Sequence, residues 1–229
     1  MNTINRRAVN LGLATCLISL ISFVSCAQKS INEMTTPTTA ASQAAPANAP
    51  GTETATFANG CFWCTEAIFE ELEGVISATS GYTDGHVSNP TYKQVCTGET
   101  GHAEALQIVY DPKKISFDEL LEVFWETHDP TTLNRQGADV GTQYRSGIYY
   151  HNAEQKEKAE KYKAELDKSG AFNNPIVTEI KEYSVFYPAE DYHQAYFENN
   201  ENQNPYCKIV IRPKLDKFRK VFKDKLKHS

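Results

Sequence analysis

Two cysteines separated by two aromatic residues, Cys61-Phe62-Trp63-Cys64, directly follow an Asn59-Gly60 turn. That spacing puts both sulfurs within one helical turn, an arrangement suited to thiol redox chemistry. Cys61 stands where a strand gives way to a helix, so its sulfur is expected to face backbone N–H groups and the positive end of the helix dipole, which favour thiolate over thiol. Two readings fit the residue: a nucleophile, or a buried structural thiol, the commoner fate of a lone cysteine. Phe62 and Trp63 suit the wall of an apolar pocket as well as plain core packing. Zinc would need more ligands than this pair. There is no second C-x-x-C and no H-x-x-x-H, so Cys96, His102, His193 and Cys207 would have to converge, and no metal is expected.

The elements around this motif follow from periodicity and turn chemistry. Residues 54–58 read as a strand, and 62–73 as a helix with Ile68, Phe69 and Leu72 on one face and Gly74 as its stop. Residues 75–82 and 103–110 read as strands. The Ser116-Phe117-Asp118-Glu119 capping box opens a helix carrying Phe117, Leu120, Leu121 and Phe124 at i, i+3, i+4, i+7. Residues 127–145 form a long polar segment whose aromatic and charged content points to function. Beyond it, 147–150 and 176–183 read as strands, and 152–168, 191–200 and 214–227 as helices. The expected fold is α+β, a ferredoxin-like α/β plait with helices packed on a mixed central sheet.

The whole chain has 229 residues, 40% hydrophobic and 23% charged, which excludes collagen, coiled coil and full-length disorder. Its net charge of −6, with no basic block outside 214–227, argues against nucleic acid. The first 25 residues differ: Arg6 and Arg7 precede an apolar run ending at Ser25-Cys26. This has the order of an export signal, and a small residue before a cysteine resembles the processing box of bacterial lipoproteins, which would make Cys26 the acylated N-terminus. A plainly cleaved signal and an uncleaved anchor helix are the alternatives. Residues 26–55, rich in Thr, Ala, Pro and Ser, read as a disordered tether, leaving 56–229 as the folded domain. The expected location is the periplasmic side or cell surface, lipid-anchored to a bacterial membrane. Four cysteines in the domain are too few for a disulfide scaffold.

Gly60-Cys61-Phe62-Trp63, Gly81-Tyr82, Asn89-Pro90-Thr91-Tyr92, Gly101-His102-Ala103-Glu104, His128-Asp129-Pro130, Asp139, Gly141-Thr142-Gln143-Tyr144-Arg145-Ser146 and Tyr187-Pro188-Ala189-Glu190-Asp191-Tyr192-His193-Gln194 occur in this order. Over residues 57–214 the chain thus resembles the A-type peptide-methionine sulfoxide reductases. The resemblance implies reduction of the S epimer of methionine sulfoxide, free or in oxidised proteins. It makes Cys61 the nucleophile and Glu104 the acid. Tyr92 and Tyr144 bind the sulfoxide oxygen, Asp139 is a polar partner in the same pocket, and Phe62 and Trp63 hold the methyl group and exclude non-methyl sulfoxides. Attack leaves Cys61 as a sulfenic acid, which a second thiol converts to a disulfide.

Many family members carry Gly where Cys64 stands and resolve through a C-terminal tail. This chain has both Cys64 and Cys207, and the tail likeness puts Cys207 first, with Cys64 as alternative or relay. Cys96 reads as a buried structural thiol. No bound cofactor is expected; a thioredoxin-like dithiol reductant would be the co-substrate, and the protein a monomer. The competing readings are a thioredoxin-like oxidoreductase using Cys61 and Cys64 alone, and a lipid-anchored binding domain with unreactive thiols.

Overall fold

The computed structural model describes residues 50–228. The expected export signal, Cys26 and most of the expected tether lie outside the described residues. Strand β1 (Glu53–Asn59) begins three residues before the boundary expected at 56, and every position after Glu53 is buried. It needs both faces covered. Ala55 and Phe57 pack into the main core, whereas Ala58 joins a smaller cluster with Tyr149 and Phe186.

The elements that follow are α1 (Phe62–Phe69), β2 (Val75–Thr83), α2 (Tyr92–Cys96), β3 (Ala103–Tyr110), α3 (Phe117–Glu126), β4 (Arg135–Gln136), β5 (Asp139–Val140), β6 (Ser146–Tyr150), α4 (Ala153–Ser169), β7 (Glu179–Glu182), β8 (Phe186–Pro188), α5 (Tyr196–Asn200) and α6 (Arg212–Val221). One mixed sheet runs β7-β6-β1-β3-β2-β8, with only the β6–β7 pair parallel; β4 and β5 form a separate hairpin. The α+β expectation holds at this level. α3 buries the four residues its periodicity selected, and Phe57 meets Phe69, Phe117 and Phe124 at ring centroids 5.7, 5.9 and 5.1 Å apart. Each such ring taken from water contributes roughly 1.5–3 kcal/mol.

Register sets the site. Phe57 pairs with Leu106, so continuing the antiparallel ladder brings the end of β1 level with Glu104 at the start of β3, and Tyr82 of β2 pairs with Glu104 on the other side. The turn after β1 therefore lands beside Glu104.

Several boundaries differ from expectation because distant backbone competes for hydrogen bonds. α1 stops at Phe69 rather than 73, as the Glu71 carbonyl accepts from Lys227 N–H and Glu73 N–H donates to the Lys225 carbonyl. The helix expected over 191–200 is a 3₁₀ turn (Asp191–His193) and α5, broken at Ala195, whose φ is 47°. The polar segment 127–145 contains the β4–β5 hairpin and a 3₁₀ turn, Thr142–Tyr144. Among the described residues no helix is long and apolar enough to cross a membrane.

Candidate active site

Gly60 has φ +101°, and a Cβ there would come within 2.6 Å of the Gln136 side chain, so the turn into α1 requires glycine. Cys61 follows as the α1 N-cap, at φ −58° and ψ 122°, and is therefore not helical itself. Its carbonyl accepts from the N–H of Cys64 at 3.1 Å and from the Thr65 hydroxyl at 3.3 Å. The expected thiolate at a bare helix N-terminus is not what the surroundings produce. Phe62 N–H donates to Glu104 Oε2 at 3.1 Å. Burial, then the neighbouring Cys64 and Glu104, push the Cys61 thiol well above its ordinary value.

Glu104 is 1% exposed. Burial pushes its carboxyl up to about 8; the Phe62 N–H opposes that shift, while Asp139 and Cys64 reinforce it. A carboxylic acid is thus held protonated at neutral pH one residue away from Cys61, and a solvated strand carboxylate is excluded. Tyr92 opens α2, behind a Thr91–Gln94 capping box, and Tyr144 ends the Thr142–Tyr144 turn. Burial, then the charge of Glu104, raises both phenols. Two neutral hydroxyls beside an acid form a donor set for a polar oxygen.

Phe62 is fully buried against Tyr82, at 5.8 Å, and Tyr92, at 6.4 Å. Trp63 stacks face to face on Tyr196, with centroids 3.7 Å apart at 9°, and its indole N–H donates to His193 Nδ1 at 3.1 Å. Glu66 accepts from the backbone N–H of Tyr196 at 3.4 Å, tying that ring to α1.

The thiols occupy the other side of the helix start. Cys64 is brought down to about 7, chiefly by a hydrogen bond from Cys61, with Lys214 and Tyr206 assisting against burial. Its sulfur lies 3.8 Å from the Tyr206 hydroxyl, which donates to Asp139 Oδ2 at 2.7 Å. Cys61, Cys64, Gln136, Asp139, Tyr206 and Lys214 line a cavity of about 190 Å³.

Cys207, placed first by its likeness to the family's C-terminal tail, is instead fully buried in the π-helical turn Cys207–Ile211 that runs into α6. Cys64 is among the groups that act on its ionisation. Cys96, expected to be buried, is exposed; α2 is one turn long and leaves its last residue at the surface. Cys96, His102, His193 and Cys207 form no cluster of three metal-ligating groups among the described residues. Sequence reasoning weighed His193 only as a zinc ligand and assigned no role to Glu190, although both sit in the quoted 187–194 motif. It missed Tyr206 altogether, 142 residues from Cys64.

Residues 53–226 match the family described as peptide methionine sulfoxide reductase. A relative from Saccharolobus solfataricus, named peptide methionine sulfoxide reductase MsrA, is 55% identical over 76% of this chain and 97% of its own. One from Rhodopirellula baltica, MsrA 1, is 56% identical over 79% and 92%. Among solved structures, Mxr1 from Saccharomyces cerevisiae in reduced form is similar, with TM-score 0.64 and 38% identity over 69% of this chain and 91% of that one. Methionine sulfoxide reductase A of Corynebacterium diphtheriae gives 0.60 and 40% over 69% and 80%.

Proposed function

The chain belongs to the peptide methionine sulfoxide reductase family, and on that premise we propose that it reduces the S epimer of methionine sulfoxide, free or within proteins, through Cys61. The observation that carries the mechanism is the buried Glu104 accepting the first N–H of the helix that Cys61 caps, where burial raises its carboxyl to about 8. The Cys61 sulfur attacks the sulfoxide sulfur while Glu104 protonates its oxygen. The oxygen passes to Cys61, methionine leaves, and Glu104 recovers a proton from the Cys61 thiol. The sulfoxide gains two electrons, the thiol loses two and becomes sulfenic acid, and no proton is gained or lost overall. Tyr92 and Tyr144 donate to the oxygen, and Phe62 with Trp63 packs the methyl group.

Cys64 then condenses with the sulfenic acid, releasing water and forming the Cys61–Cys64 disulfide. Two observations support this order over a first step at Cys207: Cys61 and Cys64 line the same cavity, which Cys207 does not reach, and the extended backbone of Cys61 frees the pair from the constraint of two helical residues. Cys207, fully buried and influenced by Cys64, suits a relay. A thioredoxin-like dithiol reopens the bridge and is itself oxidised. On the sequence of residues 1–55, the enzyme is exported by its signal, acylated at Cys26 and tethered through 26–52, repairing oxidised exported proteins. The strand order β6-β1-β3-β2, with α1 between β1 and β2 and α3 between β3 and β6, supports reading the fold's centre as a ferredoxin-like plait.

The test is turnover of separated S and R epimers of N-acetyl-methionine sulfoxide with excess dithiothreitol, beside Cys61→Ser. Turnover confined to the S epimer and lost in Cys61→Ser is expected. Disulfide exchange without turnover of either epimer would overturn the proposal. Membrane release on Cys26→Ala tests the anchor.

A further inference from the structure

Tyr144 is offered to the site by a turn of only three residues, Thr142–Tyr144, which closes on two backbone hydrogen bonds: Tyr144 N–H to the Gly141 carbonyl at 3.0 Å and Arg145 N–H to the Thr142 carbonyl at 3.3 Å. So short a turn does not by itself fix a phenol to the tolerance that a hydrogen bond to a reacting oxygen demands. The residue that follows supplies the missing restraint.

Arg145 leaves the turn with extended backbone and is 8% exposed. Its Nη1 donates to the Thr142 carbonyl at 3.0 Å, inside the turn. Nη2 donates to the Gly101 carbonyl at 3.0 Å, three residues ahead of Glu104, and to Asp84, two residues past Tyr82, at Oδ2 (2.9 Å) and at the carbonyl (3.3 Å). Nε donates to Glu179 Oε2 on β7 at 3.3 Å. The half-exposed Lys181 completes the ion network, 2.8 Å from both Asp84 Oδ2 and Glu179 Oε2. On the other flank of the turn the Thr142 hydroxyl donates to the Gly98 carbonyl at 3.4 Å, two residues past α2, which Tyr92 opens.

Burying a guanidinium is costly unless its donors are met, and a residue needed only to fill space would carry no charge there. Strands β2 and β3 are already laddered up to Thr83, with Tyr82 opposite Glu104, so the fork is not needed to join them. The segment it secures is the turn.

We propose that Arg145 is a positioning residue for the reduction: its guanidinium clamps the Tyr144 turn to the segment that leads into Glu104, and so sets the phenol at hydrogen-bond distance from the sulfoxide oxygen that Glu104 protonates. The inference rests on the reductase reading above.

The experiment measures the single-turnover rate of methionine release at saturating N-acetyl-methionine S-sulfoxide in the wild type, Arg145→Lys, Tyr144→Phe and the double variant. Lysine keeps a cation near Asp84 and Glu179, but its single nitrogen does not span the Thr142 and Gly101 carbonyls as well. A small misplacement of a reacting group can cost about 10²-fold; Arg145→Lys is expected to lose about tenfold, no more than Tyr144→Phe loses, and to cost less than about twofold once Tyr144 is phenylalanine. Lys181→Met removes the other cation and leaves the fork in place, and is expected to keep the wild-type rate. Should Arg145→Lys fail to fold, Asp84→Asn removes the charge facing Nη2 with a residue suited to the φ of 60° found there, and a smaller loss, again confined to chains that carry Tyr144, is expected. An unchanged rate in the variant used, equal losses with and without Tyr144, or a loss in Lys181→Met as large as in Arg145→Lys would overturn the positioning role. Wild-type turnover of the S epimer, and its loss in Cys61→Ser, is read in the same assay, so failure of the reductase reading is seen separately.

Discussion

On one side of the α1 N-terminus Trp63 is held by Tyr196 on its face and His193 on its edge; on the other, Cys61 and Cys64 line one 190 Å³ cavity with Lys214 at its wall. The aromatic side is fixed by packing and by hydrogen bonds to residues 189–196. The thiol side is built from two thiols, the Asp139 side chain and a lysine around an open cavity. Discrimination of a methyl group needs surfaces that stay put. Disulfide formation needs sulfurs that close to about 2.05 Å and reopen for a reductant. One short helix serves both needs because its first turn presents Trp63 and Cys64 to different surroundings.

The comparison breaks most visibly at the thiols. Cys61→Ser should abolish turnover. Cys64→Ser should release one methionine per enzyme when mixed with excess sulfoxide and no reductant, with only the Cys61 thiol consumed and the sulfenic acid trapped by dimedone. Cys207→Ser should lose two thiols per methionine. Thiol titration with mass spectrometry checks both; a dimedone adduct in Cys207→Ser and not in Cys64→Ser would move the resolving role to Cys207.

These two sides differ in how far the sequence discloses them. Cys61, Phe62, Trp63 and Cys64 lie in one contiguous run, and α3 and β3 carry strong local periodicity, so spacing alone reaches them. Tyr206, His193 and Tyr196 act on that run from 130 or more residues away, through contacts no local pattern encodes. The family likeness marked the 187–194 motif without saying what its members do. Even the acidity of Cys61 was misjudged from local reasoning, since a carboxyl from another strand takes the helix N–H that was expected to favour the thiolate.

Between the two sides stands Glu104, and its removal should have the next largest effect. Glu104→Gln keeps a hydrogen-bond donor but no transferable proton, so the single-turnover rate of methionine release should fall by roughly 10²–10⁴-fold. In the wild type that rate should fall as pH rises through about 8, where the carboxyl ionises, and this alkaline limb should be absent from Glu104→Gln. Stability follows the same sign. A carboxyl raised from about 4.3 unfolded to about 8 folded binds its proton more tightly in the native state, so its ionisation erodes stability as pH climbs through that window. Denaturant melts of the wild type and Glu104→Gln between pH 5 and 8 should diverge accordingly. A parallel pair of curves would mean that Glu104 is already ionised.

Tyr206→Phe sharpens the thiol side alone. It removes the hydroxyl 3.8 Å from Cys64, one of the groups that lower that thiol, and breaks the hydrogen bond to Asp139. The pH midpoint of Cys64 alkylation should rise from about 7, and methionine release should slow only a few-fold.

The smallest effect falls on the aromatic side. Ala195 has φ 47°, where a Cβ costs an L-residue about 1–2 kcal/mol, and it turns the chain between His193 and Tyr196. Glycine removes that strain but enlarges the unfolded ensemble by about 0.4–1 kcal/mol. Ala195→Gly should therefore gain up to about 1 kcal/mol, read as a small rise in Tm. The preference for methyl over ethyl sulfoxides separates two accounts of how Trp63 is held. If the hydrogen bond to His193 and the stack on Tyr196 hold the indole by themselves, the preference stays at the wild-type value in Ala195→Gly. A preference that falls while Tm rises would show that the left-handed turn itself holds Tyr196 against Trp63, and that the rigidity of this side resides in the backbone as well as in its rings.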